Sequence, residues 1–264
     1  MAAIDAGENP EETVHDVRQR CKKLRALLQL TRPRFKGWRR ENKAIRDLAA
    51  VLSATRDNTV LAETLSGLLG EKSSRHPVMV ALRKHLKAEG SGADHAVAIT
   101  ECRGGMDQLN ARAKDWSVKG EGFAALSEGF RDTYARMKKA MRTAHKAPTD
   151  ENFHAWRKQA KYHLYQLSLL RYSAPDIVKG QAAIARELAD LLGKHHDLAV
   201  LTEVLKGEPF STIAKTAVII EEAGRRQDTQ EAEAFALGLQ LVAEKPSAIV
   251  RRYKAYWNSA LKEA

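Results

Sequence analysis

Two stretches of this chain carry the same three side chains at the same spacing: "VHDVRQRCK" at 14–22 and "FHAWRKQAK" at 153–161. In each, an arginine follows the histidine by three residues and a lysine follows it by seven. The sets are His15, Arg18 and Lys22, then His154, Arg157 and Lys161, every pair 139 residues apart. With 3.6 residues per turn, this spacing lines the three along one helix face. Arginine forks around phosphate oxygens, lysine acts as a point charge and histidine donates from its ring, so the stripe suits a ligand rich in anionic oxygens. Arg25 carries the first stripe one step further; the second has Leu164 at that position and His163 just before it.

Helices must position these stripes. Val14, Val17, Cys21, Leu24 and Leu28 repeat the spacing one residue earlier and form an apolar stripe about 100° away. Phe153, Trp156, Ala160 and Leu167 do the same in the second copy. Each basic stripe therefore borders a buried face. Asn9, Pro10, Glu11 and Glu12 open the first helix, which is expected to stop near Pro33. Helical patterns follow Pro77 to about Glu101, break at Gly104 and Gly105, and resume from about Gly122 to His145. Further helices are expected over 150–172, 180–206, 211 to about 243, and after Pro246.

A second likeness follows the first. "IRDLAAVLSATRDNTVLAETLSG" at 45–67 aligns with "ARELADLLGKHHDLAVLTEVLKG" at 185–207, and ten residues recur at an offset of 140, including Arg46/Arg186, Asp57/Asp197, Glu63/Glu203 and Gly67/Gly207. A heptad-like run of leucines does not explain the matched charges and glycine, so a duplicated helical unit is the better account. The expected fold is all-α: two four-helix bundles related by an internal pseudo-twofold repeat, residues 1–148 and 149–264, joined at "HKAPTDEN".

The charge balance points the same way. Lys and Arg number 44 against 33 Asp and Glu, a formal net charge of +11, which favours a polyanionic partner. Residues 15–46 hold 12 of those cations against Asp16 and Glu41. Only Cys21 and Cys102 occur, with no CxxC pair and no zinc-site spacing, so a reduced, metal-free chain is expected. The N-terminus lacks an apolar core of a leader and no run is long enough to span a bilayer, so a cytoplasmic protein is expected, with no membrane partner.

The motifs "HDVRQRCKKLR" at 15–25, "LSATRD" at 52–57, "GFRDTYARMKKAM" at 129–141, "HAWRKQAK" at 154–161, "LLGKHHDLAVL" at 191–201 and "EKPSAIVRRYKAYW" at 244–257 resemble the CHAD domain, an α-helical family named for its histidines. The resemblance covers nearly the whole chain. It implies two bundles facing each other across a basic groove that binds inorganic polyphosphate, with no catalysis, no cofactor and a place on polyphosphate granules. Phosphate or sulfate would mimic the ligand. The residues of the two basic stripes expected as its main contacts are His15, Arg18, Lys22, Arg25, His154, Arg157 and Lys161. Arg56, Lys138, Arg142, His196, Arg251 and Arg252 are weaker candidates. Some relatives also carry a triphosphatase domain with an alternating Glu-x-Glu-x-Lys strand, but "EAEAF" at 231–235 ends in Phe235 and lies in a helical pattern. One departure stands out: Arg56 occupies the place of His196, so the halves contribute unequally.

Two other readings compete. A helical RNA or DNA binder would use the same cations on phosphates, but aromatics are only 6% of the chain, several of them on apolar stripes, and no base-reading module appears. A histidine-based metal bundle needs carboxylates beside its histidines, whereas these are accompanied by Arg and Lys; Glu151 and His154 supply the Glu-x-x-His spacing once. His76, His85, His163, Phe153, Trp156 and Trp257 are read as packing residues, and Tyr134 is open to either role. Beside a polyanion, His15 and His154 favour their protonated form, so binding is expected to strengthen as pH falls.

Overall fold

The structure, a computed structural model, describes residues 10–52, 57–89 and 95–263. Ten α-helices follow in order among them: α1 (Pro10–Thr31), α2 (Trp38–Val51), α3 (Asp57–Leu69), α4 (Pro77–Glu89), α5 (His95–Ala113), α6 (Ala124–Lys146), α7 (Asp150–Leu169), α8 (Pro175–Lys206), α9 (Thr216–Leu241) and α10 (Pro246–Glu263). The described residues hold no strand, and the chain is all-α. None of its described helices is long and apolar enough to cross a membrane.

The local signals for α7 act as their chemistry dictates. Thr149 is extended and its side chain accepts from the backbone N–H of Asn152, while Asp150 and Glu151 occupy the first turn, where the macrodipole favours negative charge. Other boundaries differ from expectation. Helix α8 begins at Pro175, five residues before the expected start, because proline suits the first helical position. Helix α9 begins only at Thr216: Phe210–Thr212 form a short 3-10 turn, and Lys215 takes a left-handed φ of 75°, which a continuing helix does not allow. The break expected at Gly104–Gly105 does not occur, and α5 runs through both. Gly105 serves packing instead, since a Cβ there would sit 2.2 Å from Leu48 Cδ2 on α2.

Three apolar clusters hold the helices together. The stripe of α1 (Val14, Val17, Cys21, Leu28) packs with Ile45 and Leu52 of the α2 region and with Cys102 and Leu109 of α5. A second cluster joins α6, α7, α8 and α10 through Phe130, Tyr134, Phe153, Trp156, Leu188 and Tyr253. A third sets Leu65 of α3 and Leu82 of α4 against Leu201, Phe210 and Ile219. Each such side chain contributes about 1.5–3 kcal/mol on burial. The apolar halves of both sequence stripes thus lie in cores, with Phe153, Trp156, Ala160 and Leu167 all buried. His163 completes the second stripe and is buried between Phe130 and Tyr134, both ring centres 5.6 Å away.

The two helices with the repeated stripes, α1 and α7, pack directly on each other. Gln166 of α7 is fully buried and donates to the carbonyl of Ala26 on α1 at 3.3 Å and to Thr133 Oγ1 on α6 at 3.0 Å. Gly129 of α6 allows the backbone of α1 to approach so closely that a Cβ would lie 1.9 Å from Leu30 O.

Candidate anion-binding site

The crossing of α1 and α7 brings cations from three helices together. Arg25 on α1 places its guanidinium 6.0 Å from the centre of the Tyr162 ring on α7 and donates to Asn42 Oδ1 on α2 at 3.3 Å. Lys158, one turn before Tyr162, is exposed, and its pKa lies below the ordinary lysine value. Partial desolvation is the larger cause, and the charges of Arg25 and Arg46 on α2 add to it. Among the described residues no carboxylate forms an ion pair with Arg25 or Lys158.

Further cations extend this surface at both ends. Towards the end of α1, Arg32 stacks on Trp38 at 4.4 Å and lies close enough to Arg136 of α6 to help depress its pKa, after desolvation. Arg136 also donates to Gln29 Oε1 and Thr133 Oγ1, both at 3.2 Å. Burial raises the pKa of Tyr162, and Arg25 and Arg136 counter that rise by favouring its anion. At the start of α7, the rings of His154 and His196 lie 4.5 Å apart. Arg157 packs against Gly193 of α8, where a Cβ would stand 3.7 Å from Nε.

The histidines here are held neutral. Desolvation first, then Arg157 and Lys158, keep the pKa of His154 below the usual 6.5. His196 is pushed down to about 4 by burial, by Arg157 and by His154 and His195. Burial is the larger cause in both, and the nearby cations add to it by disfavouring the charged imidazole. His195 is engaged elsewhere. Its Nε2 meets Glu231 Oε1 at 2.9 Å, with Phe153 against its ring. The first glutamate of "EAEAF" therefore ties α9 to α8.

The remaining sequence candidates are placed as follows. Arg18 donates to Leu52 O at 2.8 Å, beside the C-terminus of α2. His15 is exposed, and Lys22 and Lys161 are half-buried on the stripe positions. Lys138 donates to Val242 O at 2.7 Å and Glu244 O at 3.0 Å, closing the end of α9. Arg252 pairs with Glu244 and lies 5.5 Å from the Tyr253 ring, whereas Arg251 is exposed on α10. Arg142 is exposed on α6. Arg56 lies outside the described residues. Tyr134 is a core residue whose hydroxyl donates to Glu244 O at 3.2 Å.

The sequence stripes miss Lys158, Arg46, Arg32, Arg136 and Tyr162. Lys158 stands inside the quoted motif, but a stripe drawn at i+3 and i+7 leaves out i+4, which shares the face. Arg136 and Arg32 meet only through the contact of α6 with α1, which no local pattern encodes. Glu41, counted against the basic run, is buried and satisfied: Arg112 donates to both of its oxygens at 2.9–3.2 Å and Arg40 at 2.7 Å. Among the described residues no three His, Cys, Asp or Glu side chains converge as metal ligands. Burial pushes the Cys21 thiol up to about 12, so it packs as an unreactive side chain.

Residues 2–206 match the family model of the CHAD domain. No curated protein and no solved structure matches the chain.

Proposed function

The chain belongs to the CHAD domain family, and from that premise we propose that it binds inorganic polyphosphate along the surface where α1, α2 and α7 meet, without catalysing a reaction on it. One observation carries the reading: Lys158 lies close enough to Arg25 and Arg46 for their charges to add to desolvation in depressing its pKa, and no carboxylate pairs with it or with Arg25 among the described residues. Gathering like charges costs folding free energy, and an anion laid among them recovers it. Polyphosphate offers closely spaced anionic oxygens and no bases. The surface supplies guanidinium forks and an ammonium from three helices, donors suited to such oxygens.

The finer architecture belongs to the same proposal. The halves 1–148 and 149–264 are read as duplicated four-helix units facing a common groove, on the strength of the two aligned segments. The copies have diverged: 191–197 lies within unbroken α8, whereas α2 ends at Val51 and α3 starts at Asp57. The contacts proposed are His15, Arg18, Lys22, Arg25, His154, Arg157 and Lys161, to which Lys158 and Arg46 are added. A cytoplasmic protein held on polyphosphate granules is the setting this reading implies.

Competition separates this ligand from nucleic acid. Long-chain polyphosphate is expected to displace labelled single-stranded RNA from the protein when the two are compared at equal phosphate concentration. If RNA stays bound while polyphosphate is added well above that level, the ligand is a nucleic acid and the proposal fails.

A further inference from the structure

A cavity of about 540 Å³ opens where the end of α7 meets the start of α8. Its walls are of two kinds. Pro175, Ala182 and Ala183 supply apolar surface, and Arg171, Lys179 and Arg186 supply three cations, while no carboxylate is among the residues that line it. Tyr172 completes the rim and is 71% exposed, unusually open for so large a ring. Arg171 fixes it in place: the guanidinium lies 4.5 Å from the ring centre and donates to the tyrosine hydroxyl.

A bare phosphate chain has no use for an apolar wall or an aromatic platform. A flat, uncharged ring system does, and a volume of this size accommodates one ligand of that class. The cations set the other half of the ligand. Lys179 and Arg186 are exposed on this wall and can take its phosphates.

We propose that this cavity is a nucleoside polyphosphate site, in which the base rests on Tyr172 against the wall of Pro175 and Ala182 and the phosphates engage Lys179 and Arg186. The cavity's walls carry this inference, and it stands whether or not the α1–α7 surface binds inorganic chains.

Titration calorimetry on the full chain with adenosine triphosphate, inorganic triphosphate and adenosine tests it. Adenosine triphosphate is expected to bind about ten-fold or more tighter than inorganic triphosphate, the contribution of one stacked base. Tyr172→Ala should remove that advantage and leave the affinity for inorganic triphosphate unchanged. Arg186→Ala should weaken both. Tyr172 is exposed, so its variant should keep the wild-type circular dichroism and melting curve. Equal affinities for the two triphosphates, or a preference that survives Tyr172→Ala, would overturn the proposal, and neither result would touch the polyphosphate reading.

Discussion

Arg25 and Tyr162 meet across the interface of the two repeated helices, the guanidinium 6.0 Å from the ring centre, although 137 residues of chain separate them. That contact lies where the basic edges of α1 and α7 come together. It places a charge from the first copy beside Lys158 of the second, so the electrostatic surface belongs to neither half alone.

The junction depends on Gln166. Its amide donates to Ala26 O and Thr133 Oγ1 in a site without solvent. Gln166→Leu removes the donor from both acceptors, and urea unfolding should show a loss of about 2 kcal/mol. A change within about 0.5 kcal/mol would mean that the helices are held by packing alone.

Gly129 makes a steeper prediction. Gly129→Ala drives a Cβ into the backbone of Leu30, which cannot yield as a side chain would, and α6 must separate from α1. A loss of about 3 kcal/mol or more is expected in denaturant unfolding. Gly67→Ala is the control, since nothing lies within 4 Å of its added carbon, and there the better helix former should leave stability unchanged or raise it by up to about 1 kcal/mol.

Acid should weaken the fold through its buried histidines. His163 and His196 both have pKa values near 4 in the folded chain against an ordinary 6.5, the first from complete burial, the second from burial and neighbouring cations. The unfolded chain takes up protons that the folded chain refuses. Stability is therefore full above about pH 6.5 and is lost as pH falls towards 4, by up to about 3 kcal/mol for His163. His163→Phe should flatten this slope, read as free energy of unfolding against pH. An unchanged slope in the variant would contradict the burial argument.

The same sign governs ligand binding. His154 is held neutral by desolvation and by Arg157 and Lys158, and a bound polyanion offsets those charges and raises its pKa. Affinity should rise as pH falls from about 8 to about 6, and calorimetry in buffers of different ionisation enthalpy should register proton uptake on binding. His154→Asn should reduce that uptake. Binding independent of pH across this range would contradict the placement of the ligand beside His154.

Much of this was legible in the chain because helix periodicity is local. Val14, Val17 and Cys21 predicted their own burial, and Thr149 with Asp150 predicted the start of α7. What escaped was set by contacts between helices. Gly104 and Gly105 read as a break because glycine disfavours helix in isolation, yet Leu48 needs the space at Gly105. Lys138 and Arg252 read as cations for a ligand, yet one closes the end of α9 and the other pairs with Glu244. A stripe of charges says which face is basic. Only the crossing of α1 with α7 and α2 says which charges share one surface.

Calorimetric titration with polyphosphate of defined length, on wild type and on Arg25→Ala/Lys158→Ala, tests the central claim most directly. The double variant is expected to bind at least about ten-fold more weakly and to show a shallower dependence on salt by roughly two charges, while Arg252→Ala, whose charge is already paired, stays within about two-fold of wild type. Equal affinity and equal salt dependence in wild type and the double variant would show that the ligand does not lie between α1 and α7.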